Sequence, residues 1–291
     1  MGTSTPFGGP ANGTPLVPDF VTDMEEPATP NTVPQDGQDD EADDGRPPQA
    51  PPARLQPTPP PMPDRFRGAR SAFTKFAGSG GRDRKSLGRA MSRYVSQSAG
   101  GSASAAKRMG SSRTTAARIA SFLGDVGNRG LEAALAIFNL VDLVGRSAVD
   151  IFSALVEHFC PEGGSIDEGI ARDAFLETVV DLADAGITDM TKLTPAQMQT
   201  LLELYVAHTI EDRIYNDIGV KGIEIPSDFK AAEDVRDQLH DFILGGVTDA
   251  FTAAAIDFSA IDPNMLNQTI DSIYESSFDI LEALGEEEAD K

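Results

Sequence analysis

Apolar positions in this chain recur at three- and four-residue intervals from about residue 66 onward, and no segment shows a convincing strand alternation. At 100° per residue, Phe66, Ala69, Phe73, Phe76 and Ala77 fall on one helix face, while Arg65, Arg67, Arg70 and Lys75 lie largely outside it. Gly78-Ser79-Gly80-Gly81 breaks the pattern. Beyond it Leu87, Met91, Tyr94 and Val95 share a face, and Arg82, Lys85, Arg89 and Arg93 share the opposite one. A second small-residue break, Ser98 to Ser104, precedes Lys107-Arg108-Met109-Gly110-Ser111-Ser112-Arg113, which leads into the next helix.

From Ile119 onward the pattern predicts helices throughout. One long core helix is expected from about Gly130 to Phe159, stopped near Pro161-Glu162-Gly163-Gly164. Its apolar run is interrupted by Glu132, Asp142, Arg146, Asp150 and Glu157, so it does not read as a membrane span. Ser165-Ile166-Asp167-Glu168 is a capping box opening a helix toward Gly186. Thr194-Pro195-Ala196-Gln197 repeats that logic with proline at N1, for a helix lasting to about Ile218. Ser227 to about Phe258 holds one helix, or two broken at Gly245-Gly246, and Asp262-Pro263 opens the last. The fold class is all-α.

Residues 1–63 do not share this periodicity. They hold 16 of the 20 prolines and the acidic run Asp39-Asp40-Glu41-Ala42-Asp43-Asp44, with few large apolar side chains, so too little surface is available to offset chain entropy. A disordered acidic tail is expected, with Pro57 to Pro63 favouring polyproline II as a spacer. Charge divides the rest. The net charge of −22 resolves into −8 over residues 1–63, +11 over residues 64–118 and −25 over residues 119–291. Three segments follow: the tail, a basic amphipathic helical region, and an acidic all-α domain long enough to bury roughly 70% of its unfolded surface. The single cysteine, Cys160, excludes an intrachain disulfide framework, and with no secretory signal at the start the expected location is the cytoplasm.

Catalytic and metal-binding patterns are weak. His158, His208 and His240 are far apart in sequence, His158 and Cys160 are too few for a zinc site, and Asp237 with His240 has di-metal spacing but no second pair. No metal and no cofactor are expected. Gly80-Gly81-Arg82-Asp83-Arg84-Lys85-Ser86 lacks the glycine before lysine that a phosphate loop requires, and no nucleophile, base and orienter can be grouped, so a non-enzymatic protein is expected. The basic region allows nucleic-acid binding, a membrane surface, or a third class in which it docks on the acidic body of its own chain or offers a solvated face, partner-protein recognition included. The last is favoured because the chain as a whole repels polyanions.

The N-terminus offers one further piece of chemistry: removal of Met1 leaves Gly2 with an unhindered amine, and Pro6 argues against myristoylation there. Met1-Gly2-Thr3-Ser4, Phe7-Gly8-Gly9-Pro10, Arg65-Phe66-Arg67-Gly68-Ala69-Arg70-Ser71-Ala72-Phe73-Thr74-Lys75-Phe76, Leu87-Gly88-Arg89-Ala90, Tyr94-Val95 and Arg108 to Arg113 occur in an order that resembles the QatB family of bacterial Qat anti-phage systems. The resemblance covers about the first 120 residues.

It implies a defence protein working beside a P-loop ATPase, a QueC-like enzyme and a TatD-like nuclease. A QueC-like enzyme activates a deazaguanine carboxylate with ATP, and a protein amine accepted in place of ammonia would give an amide at Gly2, or at Gly8 or Gly9 after internal cleavage. The tail would present that amine with a reach growing roughly as the square root of its length. The alternative is a nucleic-acid-binding sensor using the basic region 64–118, with Arg82, Lys85, Arg89 and Arg93 as phosphate contacts; the interaction residues expected in that region are Arg65, Arg67, Arg70, Lys75, Arg82, Lys85, Arg89, Arg93, Arg108 and Arg113.

Overall fold

In the computed structural model the described residues are 64–160, 163–219, 226–257 and 264–291. The expected tail, with the candidate acceptors Gly2, Gly8 and Gly9, and the Asp262-Pro263 helix start lie outside them. Among the described residues the architecture is helical without strands, as the periodicity predicts. The α-helices are α1 (Arg67–Gly78), α2 (Arg84–Arg93), α3 (Ser102–Lys107), α4 (Gly110–Arg129), α5 (Leu131–Ala136), α6 (Ala148–Phe159), α7 (Ile166–Asp181), α8 (Pro195–Ile218), α9 (Phe229–Ala254) and α10 (Leu266–Asp290). A π-helical turn, Tyr94–Ala99, extends α2.

The two capping boxes set their helices as their residues dictate. Ser165 accepts from the Glu168 amide at 3.2 Å while Glu168 accepts from the Ser165 amide at 3.1 Å, and Thr194 and Gln197 exchange the same pair of bonds ahead of Pro195. Each satisfies two amides that a helix N-terminus otherwise leaves open. The basic region also places its apolar faces inward: Ala69, Phe73, Phe76, Leu87, Met91, Tyr94 and Val95 are all buried.

One expectation is corrected. The single helix from Gly130 to Phe159 is broken into α5, a 3-10 turn at Val141–Leu143, and α6. Asn139 takes a left-handed φ of 59°, and the Leu140 amide donates to the Leu135 carbonyl at 3.1 Å, closing a Schellman-type end. Gly145 is also left-handed, and Ser147 then caps α6 by accepting from the Asp150 amide at 3.1 Å. At Gly245-Gly246, where one helix and two were both open, α9 runs through unbroken. Gly246 is a packing position, where a Cβ would come within 2.7 Å of Leu281 Cδ2 on α10.

The core is continuous across these helices. α8 lies between α7 and α9 and is buried on every side from Leu201 to Glu211, the mark of a central helix. α10 packs along α2 and α9. Where α2 and α10 cross, Gly88 and Gly285 bring the backbones together so closely that a Cβ on Gly285 would stand 2.7 Å from the Gly88 carbonyl oxygen. Among the described residues no helix is long and apolar enough to cross a membrane.

Candidate functional site

The basic residues divide into those engaged with the rest of the chain and those left to solvent. Arg108 donates from Nη2 to both oxygens of Asp217, at 2.8 and 2.7 Å, and the Tyr94 hydroxyl donates to the same carboxylate at 2.8 Å. Burial first, and then the adjacent Asp217 carboxylate, push the Tyr94 phenol well above its usual range, so it stays a donor. Arg113 pairs with Asp271 at 2.7 Å, and Arg70 donates to the Ile218 carbonyl at the C-terminal end of α8 at 3.1 Å. Arg118, outside the predicted set, does the same for Phe159 at the end of α6, at 2.7 Å. Both place a cation where a helix leaves its carbonyls open.

Arg65 stacks over the Phe66 ring at 4.6 Å, and Arg82 donates to the Ser79 carbonyl at 3.0 Å. Arg67, Lys75, Lys85, Arg89 and Arg93 are exposed and form no ion pair among the described residues. Gly80 to Asp83 lie between α1 and α2, whose first residues are Arg84, Lys85 and Ser86. Asp83 caps α2 by accepting from the Ser86 amide at 3.0 Å, and its hydrogen bonds from Ser86 hold its carboxyl below the usual range.

A second site was not legible in the sequence. α7, α8 and α9 enclose an open cleft of about 880 Å³. From α8, His208 and Glu211 stand one turn apart on one face. From α9, His240 faces them, its ring 4.8 Å from that of His208 and its Nδ1 2.9 Å from Glu211 Oε2. From α7, Asp181 Oδ2 lies 2.7 Å from His208 Nε2, and Glu177 Oε2 lies 3.2 Å from His208 Nδ1 without the alignment of a hydrogen bond.

Burial pulls the His208 pKa down, but the Glu177 and Asp181 carboxylates outweigh it and raise the value. Asp212 is pushed up to about 7 by burial and by the Glu177 and Glu211 charges. Val180 and Phe229, 73% and 81% exposed, stand among the apolar residues of this lining.

The other sequence candidates stay apart. His158 is exposed and packs on Phe138 at 5.2 Å, whereas Cys160 is buried against Thr115 and the Ala171 carbonyl. Burial pushes the Cys160 thiol up to about 11, the opposite of an activated nucleophile.

The model of the family described as Qat anti-phage system associated protein QatB matches residues 100–281. No curated protein and no solved structure matches. The matched segment overlaps the sequence motifs only at their end, around Arg108 to Arg113, and otherwise covers helices in which no motif could be paired residue by residue. It spans well over half of the chain, from Gly100 through Leu281 on α10. The chain belongs to the QatB family and is a component of an anti-phage defence system.

Proposed function

We propose that this chain is the non-enzymatic acceptor protein of its system. After loss of Met1, the Gly2 amine attacks a deazaguanine carboxylate that the QueC-like enzyme has activated with ATP. An amide bond forms, the activating group leaves with the carboxylate oxygen, and the amine gives up a proton. An α-amino group titrates near 7.7–8.0, so a useful fraction is unprotonated at neutral pH. The helical body then serves as the surface read by the ATPase and the TatD-like nuclease.

One observation carries this reading: the glycine-led start belongs to an ordered set of QatB-like motifs, and the family match takes up near where those motifs end. The high thiol pKa of Cys160 fits a protein that receives a group rather than transferring one. A Gly2→Pro variant, produced beside the neighbouring genes, should lose both the adduct and phage protection. Retention of both would refute Gly2 as the acceptor, and an adduct that moved to Gly8 or Gly9 would point to internal cleavage. A second reading, a nucleic-acid sensor, draws support from exposed cations on and around α1 and α2, Arg67, Lys75, Lys85, Arg89 and Arg93 among them, that form no ion pair among the described residues.

A further inference from the structure

We propose that the cleft between α7, α8 and α9 binds a divalent transition-metal ion, of which Zn²⁺ is the best match, through His208, Glu211 and His240. One ligand atom from each of the three lies within 4.8 Å of the others. Two atoms bound to a tetrahedral zinc at about 2.1 Å stand roughly 3.4 Å apart, so side-chain rotations of about an ångström close this set on one ion. Two imidazoles and a carboxylate form a donor set that suits zinc and leaves a fourth position facing the cleft.

His208 supplies the independent observation. Only 7% exposed, it lines the cleft, and its buried Nδ1 makes no aligned hydrogen bond, with the Glu177 carboxylate beside it at 3.2 Å. Its other nitrogen, Nε2, sits 2.7 Å from Asp181 Oδ2. A proton shared there fixes the tautomer and turns the Nδ1 lone pair inward, as an outer carboxylate does for a metal-bound histidine. In that tautomer, Nδ1 faces the Glu177 carboxylate at 3.2 Å with an acceptor on each side. Only a cation or an added proton relieves such an approach. Seven carboxylates line the cleft against one arginine, Arg236, which favours a divalent ion over an empty site.

The ligands come from consecutive packed helices, so an ion here would also clamp α9 to α8. The positioning role falls to Asp181, which touches the ligand and not the ion.

The test uses the full chain stripped with a chelator, equilibrated with Zn²⁺, freed of excess ion by gel filtration and analysed for metal content, with affinity from competition against a chromophoric chelator. About one zinc per chain is expected. His208→Ala and His240→Ala should abolish it, Asp181→Asn should weaken it about 10–100-fold, and His158→Ala should leave it unchanged. Should the histidine variants fail to fold, Co²⁺ added to the unaltered chain decides: the proposal requires the visible bands of a four-coordinate nitrogen and oxygen site. A thiolate-to-cobalt band would place the ion at Cys160 and overturn it. So would zinc uptake by the unaltered chain no greater than that of the doubly substituted His208→Ala/His240→Ala chain, which would leave a proton as the occupant between His208 and Glu177.

Discussion

Asp217→Ala tests whether the basic region is held to the acidic body by a specific buried contact. The carboxylate is 7% exposed, accepts from Arg108 and Tyr94, and has Arg213 Nε at 3.4 Å. Truncation leaves the Arg108 charge and the Tyr94 hydroxyl facing a methyl group. Breaking a buried pair costs about 3–5 kcal/mol, and a stranded hydroxyl adds about 1–3 kcal/mol. Arg108 is 21% exposed, so water partly rehydrates it, and a net loss of about 3 kcal/mol is expected.

For a folded unit of this size each kcal/mol moves Tm by about 2–4 °C, giving a fall of about 6–12 °C. Urea unfolding followed by far-ultraviolet circular dichroism measures the loss directly. Asp217→Asn, which keeps an acceptor but no charge, should recover part of it. Arg89→Ala, at an exposed position with no ion pair among the described residues, should stay within about 0.5 kcal/mol of the parent. Equal costs for Asp217→Ala and Arg89→Ala would refute the argument that the two classes of basic residue differ.

The other predictions concern local chemistry and packing. At pH 8 a thiol at about 11 holds roughly 200-fold less thiolate than a free cysteine, so iodoacetamide should label Cys160 far more slowly in the native chain than in urea; comparable rates would contradict its burial. Gly285→Ala should destabilise by about 1–3 kcal/mol because its Cβ meets the Gly88 carbonyl, whereas Gly245→Ala, with open space at the same kind of helical position, should stabilise by about 0.4–1 kcal/mol. Asp83→Ala should cost about 1 kcal/mol at pH 7. The Asp83 carboxyl is depressed in the folded chain, so that difference is present above the ordinary carboxylate range and shrinks as pH falls through the folded value. Replacing Arg82, Lys85, Arg89 and Arg93 with glutamine should leave adduct formation at Gly2 intact. Any binding of the chain to DNA should weaken, its salt slope falling by about 0.9 for each phosphate no longer neutralised.

Helix starts were the most legible part of this fold. Ser165, Thr194 and their partners three residues on carry the local hydrogen bonds that define an N-terminus, and both helices begin where those residues place them. The two apolar faces of α1 and α2 were equally readable, because 3.6-residue spacing survives without knowledge of what covers it. The break after α5 was misread since the run from Leu131 to Phe159 is apolar enough to mask Asn139, Gly145 and Ser147, which are a stop, a turn and a cap. At Gly245-Gly246 one helix and two were both open, and local pattern could not decide between them. Small residues there allow α10 to approach, and that requirement is tertiary.

The cleft was hidden for the same reason. Glu177 with Asp181, His208 with Glu211, and Asp237 with His240 each show one-turn spacing on their own helix, but only packing brings the three pairs to one place. The family, by contrast, was legible from short motifs near the N-terminus, while the match over residues 100–281 lies in helices whose identity rests on the whole pattern and not on any single residue.

The state of Gly2 decides the central claim. Intact mass and N-terminal peptide sequencing should be carried out on the chain produced alone and beside the QueC-like enzyme. The prediction is a mass increase, seen only with that enzyme, that maps to the Gly2 amine. An identical, unmodified N-terminus in both samples would contradict it.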